Sequence, residues 1–116
     1  MIVKAKNKKI KHELGMEQLQ AVANLFTVLS EPTRLRILQM LQQGPATVGE
    51  IIDATGIKQA NASKQLGILH NAGVLAREKD GNQVRYSIRM PLVFDLCNLV
   101  CAGVVEDARL RARALA

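Results

Sequence analysis

The stretch Thr47 to Asn71, TVGEIIDATGIKQANASKQLGILHN, decides the fold. It opens on Thr47-Val48-Gly49-Glu50, a threonine followed three residues later by a glutamate. That pattern is a capping box, in which each side chain satisfies the other residue's free backbone N–H. The spacing predicts a short helix over 47–54 with Val48, Ile51 and Ile52 turned inward, ended by Gly56. A second helix is predicted from Lys58 or Gln59 to Asn71, with Ala62, Leu66 and Leu69 on its apolar side and Asn71-Ala72-Gly73 as its stop. Two helices joined by a few residues that include a glycine make a helix-turn-helix.

On the C-terminal side, residues 74–79 and 84–88 are short β-type runs separated by Asp80-Gly81-Asn82, a strong hairpin signal. A last helix is predicted from Pro91 to about Arg113. Through Val105 it is apolar on nearly every side, with Leu92, Val93, Phe94, Leu96, Leu99, Val100, Val104 and Val105. Such a helix has to be covered all round, and a small domain leaves one side wet. A second copy of the chain resolves this.

On the N-terminal side, Leu19, Val22, Ala23, Phe26 and Leu29 recur at helical spacing from Met16 onward. The next helix begins where Ser30 or Glu31 caps Pro32-Thr33 and ends at Gly44-Pro45. The fold class is therefore mainly α. Five helices and a two-stranded β-hairpin wing form a winged helix-turn-helix, expected as a homodimer. Residues 1–15 read as a basic N-terminal arm and residues 16–114 as the DNA-binding and dimerisation domain.

The chain has 116 residues and a formal net charge of +6. A basic balance favours a polyanionic partner. The excess is local: residues 1–30 carry five lysines against two glutamates, and residues 76–91 four bases against two acids. The second predicted helix of the helix-turn-helix offers Lys58, Gln59, Asn61, Ser63, Lys64 and Gln65, and no acid occurs between Lys58 and Arg77. Amide side chains can contact adenine at two atoms, lysine reaches guanine or phosphate, and serine serves either. Arg77, Lys79 and Arg85 cluster on the predicted hairpin, suited to phosphate or the minor groove. The expected partner is double-stranded DNA. The alternative, a winged helix used only for protein contacts, has no need of a basic wing beside an acid-free helix. A catalytic role is not expected: neither His12 nor His70 pairs with an evident nucleophile, and no phosphate-cradling loop occurs. No signal peptide or bilayer-length apolar run is read, so a cytoplasmic protein without a membrane partner is expected.

The sequence resembles the ArsR/SmtB family of bacterial winged-helix repressors. The resemblance is carried by residues 29–38 (LSEPTRLRIL), the Gly44 stop, residues 58–66 (KQANASKQL), residues 69–75 (LHNAGVL) and residues 81–88 (GNQVRYSI). It implies a dimer built from the first and last helices, a palindromic operator, and repression relieved by an inducer. Many relatives sense metals through a Cys-x-Cys pair before the recognition helix, but residues 47–55 hold no cysteine. Others use Asp-x-His on the last helix with further ligands beyond it. Asp95-Leu96-Cys97 echoes only the first pair, and no histidine follows His70, so that zinc site is not expected.

Cys97 and Cys101 remain as sensor candidates, one turn apart on one helix face. Three readings stand side by side. The pair is small apolar packing, a sensor of oxidants or reactive sulfur, or a two-thiolate site for a soft metal or metalloid. No cofactor is certain. The nearby Asp95 carboxylate is expected to raise a thiol pKa and so to oppose activation.

Overall fold

The computed structural model describes residues 13–115; the expected basic arm lies almost wholly outside them. The elements are α1 (Met16–Leu29), α2 (Pro32–Leu41), β1 (Ala46–Thr47), α3 (Val48–Thr55), α4 (Gln59–Asn71), β2 (Leu75–Asp80), β3 (Gln83–Ile88) and α5 (Leu92–Leu115). The predicted helices all form, within about two residues of their expected bounds. Their ends show why. The Glu31 carboxylate accepts the backbone N–H groups of Thr33 and Arg34 at the start of α2, where Pro32 occupies the first turn. Glu50 N donates to Thr47 Oγ1 at 3.2 Å and Thr47 N to Glu50 Oε1 at 2.8 Å, which is the predicted box. Gly56 ends α3 in the left-handed region at φ +75°, a conformation that a β-carbon opposes.

The wing is a hairpin with Asp80 paired to Gln83 across Gly81-Asn82, and Gly81 takes φ +65°. Its sheet has three strands, not the expected two. β1 pairs antiparallel with β3, Ala46 opposite Tyr86 and Thr47 opposite Arg85, giving the order β1-β3-β2. A two-residue strand has no periodicity to read and exists only through its distant partner.

The core lies where α2, α3, α4 and the root of the sheet meet. Ile37, Leu38, Leu41, Ile51, Leu66, Leu69, Val74, Leu75 and Val93 are fully buried. Each such aliphatic side chain stabilises the fold by about 1.5–3 kcal/mol relative to exposure. The outer helices behave differently. Of the predicted α1 stripe only Leu29 is buried, while Leu19, Val22 and Phe26 are exposed. On α5 only Val93 is buried, and Leu99, Val100, Val104 and Val105 are open to solvent. The radius of gyration is 17.1 Å, against about 13 Å for a compact chain of this length. Two apolar helices therefore extend from a small core with much of their apolar surface uncovered. No helix of the described residues is long and apolar enough to cross a membrane.

Candidate nucleic-acid interface

Helix α4 buries Ala62, Leu66 and Leu69 and turns its opposite face outward. Lys58, Gln59, Asn61, Ser63 and Lys64 are all exposed, as their spacing predicts. Gln65 is a correction. It was expected on the surface with them, but only 6% of it is accessible. Its Oε1 accepts from Arg34 Nη1 at 2.8 Å and its Nε2 donates to Asn61 Oδ1 at 3.0 Å. A partner thirty-one residues away withdraws it from solvent, and nothing local in the sequence signals that contact.

The wing sorts its charges by face. Alternate residues of a strand share a side, so Arg77 and Lys79 lie on one face and Glu78 and Asp80 on the other, where Glu78 stands opposite Arg85. Arg77 and Lys79 are exposed and take part in no salt bridge among the described residues. Arg85 is engaged. Its guanidinium lies 3.1 Å from Asp80 Oδ2 and 3.7 Å from Glu50 Oε1. Arg85, expected with Arg77 and Lys79 as a DNA contact, ties the wing to α3 in this structure, because β1 brings α3 alongside β3. The same contacts act on Glu50. The Thr47 backbone and side-chain hydrogen bonds, and then the Arg85 charge, hold its carboxyl below the usual carboxylate range.

Between the wing turn and the helix-turn-helix lies a cleft of about 340 Å³ lined by Thr47, Val48, Gly49, Gln59, Ser63, Asn82, Gln83 and Val84. Three elements converge on it: the N-terminus of α3, the outer face of α4, and the tip of the wing. Gly49, Asn82 and Gln83 were not read from the sequence as part of a binding surface. The turn signal at Asp80-Gly81-Asn82 marked the wing but not the surface it faces.

The cysteines line cavities that share no residue with this cleft. Cys97 is half-buried and Cys101 exposed, and both are free thiols. Together they border two cavities. One, of about 200 Å³, is apolar and lined by Phe26, Leu29, Leu35, Leu96 and Val100. The other, of about 350 Å³, is walled by Pro32, Arg36, Gln39, Gln42 and Asn98. Burial, and then the neighbouring Cys101, push the Cys97 thiol pKa up. The direction matches expectation but the cause differs, since Asp95 was the expected source. Among the described residues no three His, Cys, Asp or Glu side chains gather as a metal site.

The model of the bacterial regulatory protein arsR family matches residues 31–77, from the cap of α2 into the wing. The Mycobacterium tuberculosis HTH-type transcriptional regulator Rv0081 is 41% identical over 89 residues, covering 73% of this chain and 78% of that protein. Its crystal structure superposes with a TM-score of 0.64 over 90% of this chain and all of that one, at 34% identity. The antimony-specific transcriptional repressor AntR gives a TM-score of 0.78 at 28% identity, over 94% of this chain and 98% of that one. The homodimeric winged helix-turn-helix DNA-binding domain Mb0332 of Mycobacterium bovis gives 0.69 at 31% identity, over 84% and 91%. Fold and relatives agree: the chain belongs to the ArsR family of bacterial regulatory proteins and is a winged-helix transcriptional regulator.

Proposed function

We propose that the protein is a repressor that binds palindromic operator DNA as a homodimer and is released by a thiol-directed inducer. One observation carries the reading: the acid-free outer face of α4 and the wing tip flank a single cleft at the N-terminus of α3. In this reading α4 enters the major groove. Gln59, Asn61 and Ser63 meet base edges there, and Lys58, Lys64, Arg77 and Lys79 meet phosphates. The solvent-open apolar faces of α1 and α5 support dimerisation through these helices, and Mb0332 is a homodimer. Such a dimer sets two recognition helices about 34 Å apart, one turn of DNA.

The α5 thiols are the proposed sensor. They border cavities shared with α1 and α2, so a modification there acts on helices placed in the dimer contact. The accessible Cys101 meets the inducer first. The inducer classes are oxidants, reactive sulfur, and soft metals or metalloids, and AntR is by its name specific for antimony. For a metal or metalloid the protomer supplies two thiolates.

The test is fluorescence anisotropy of reduced protein on DNA from its own upstream region, at fixed salt. It is repeated with oxidant, polysulfide, arsenite and Zn²⁺, and with Cys101→Ser. Tight binding that Gln59→Ala with Lys64→Ala weakens, and that one thiol reagent abolishes only when Cys101 is present, is the expected result. Binding indifferent to every reagent removes the sensor from the reading. Absence of DNA binding overturns the whole of it.

A further inference from the structure

Arg34 stands on α2, away from the outer face of α4, yet its guanidinium reaches two other helices. Its Nε donates to the Val28 carbonyl near the end of α1 at 2.5 Å, and its Nη1 donates to Gln65 Oε1 at 2.8 Å. Gln65 Nε2 then donates to Asn61 Oδ1 at 3.0 Å. The first member dictates the polarity of this chain. A guanidinium has donors only. Gln65 must therefore turn its oxygen toward Arg34 and its nitrogen away. An amide nitrogen also only donates, so Asn61 must turn its oxygen toward Gln65. The Asn61 amino group makes no hydrogen bond among the described residues and keeps its two N–H bonds for a ligand. Gln65 is buried and Asn61 exposed, so the relay starts inside the protein and ends on the reading surface.

We propose that Arg34 and Gln65 are positioning residues that fix Asn61 as a hydrogen-bond donor toward DNA, making Asn61 a specificity determinant for an acceptor-only base edge. In the major groove the edge that can meet both N–H bonds is guanine, with N7 and O6 as paired acceptors, whereas thymine offers O4 alone. A freely rotating asparagine can instead contact adenine with its oxygen and nitrogen together. Here the oxygen already accepts from Gln65 and the amino end is the group left to donate. The inference rests on the DNA-binding reading above and names the base class that one of its residues selects.

Gln65→Glu tests the polarity. An ionised carboxylate accepts only. It keeps Arg34 as a partner, now charge-assisted, and obliges Asn61 to turn its amino end inward and its oxygen outward. Asn61 then seeks a donor-bearing edge, cytosine N4 or adenine N6. Wild type, Asn61→Ala, Gln65→Glu and Gln65→Met full-length proteins are used to select sites from randomised double-stranded DNA, and thermal unfolding confirms that each is folded. The expected result is that Asn61→Ala flattens one position in each half-site. At that same position Gln65→Glu exchanges guanine for cytosine or adenine, with a change in base preference of about tenfold. Gln65→Met blurs that position and no other.

The relay is overturned if Gln65→Glu keeps the wild-type base there, if it weakens every position equally, or if Asn61→Ala flattens no position. A wild-type protein that selects no motif overturns the DNA-binding reading itself. A clear wild-type motif unmoved by Gln65→Glu overturns the relay alone.

Discussion

Thr47 shows how much a single residue does in this fold. Its backbone is the last position of β1, its hydroxyl caps α3, and its N–H is held by Glu50. Removing such a cap costs about 1 kcal/mol, within 0.5–2. Thr47→Ala is expected to lower the free energy of unfolding by that amount, as read by urea denaturation. Glu50 adds a pH dependence whose sign follows from its lowered pKa. The folded state prefers the carboxylate, so the stabilisation is present above the unfolded carboxyl pKa. It is lost as pH falls through the lower, folded value. Glu50→Gln is expected to remove this share of acid sensitivity. An acid limb of the same steepness in both proteins would show that the carboxylate gains nothing from the box.

Among the elements, the helices were legible because their ends are written locally. Thr47-x-x-Glu50, Glu31-Pro32, Gly44 and Gly56 each settle a boundary within four residues. What escaped the sequence depends on partners far along the chain. β1 is a strand only because β3 pairs with it, Gln65 leaves the surface only because Arg34 takes its oxygen, and Arg85 is held by Glu50 and Asp80. The wing can show this division directly. Each phosphate that a side chain ceases to neutralise should flatten the plot of log K against log salt by about 0.9. Arg77→Ala and Lys79→Ala are each expected to reduce the slope by that amount for the one phosphate that each side chain meets. Arg85→Ala is expected to leave the slope in place and to loosen the wing. A slope that drops for Arg85→Ala as for the other two would mean that Arg85 exchanges its carboxylates for phosphate on binding.

At the scale of the whole molecule the apolar outer helices govern. Val104 is 63% exposed within the single chain, so a charge there does not disturb the core. In a dimer sealed by α5 the same charge is buried without a partner. Val104→Glu is expected to sediment as a monomer, with the protomer's own unfolding changed by less than about 0.5 kcal/mol. Loss of the second reading head should then weaken operator binding by about 10²–10⁴-fold. A dimer that persists in analytical ultracentrifugation would move the interface elsewhere.

The chain passes from β1 into α3 without an intervening residue, and β1 is stitched to β3. Wing, α3 and the root of the sheet thus form one stiff block, like a stamp with its letters already cut. Under the proposed mechanism an inducer at α5 would not recut the letters; it would change the distance between two stamps. A shift of about 3.4 Å, one base pair of the roughly 34 Å turn, suffices to put one head over the wrong letters. The released protein then keeps its basic face and its hold on phosphate. It is expected to linger on DNA at random sites, illegible to its operator but not free of the chromosome.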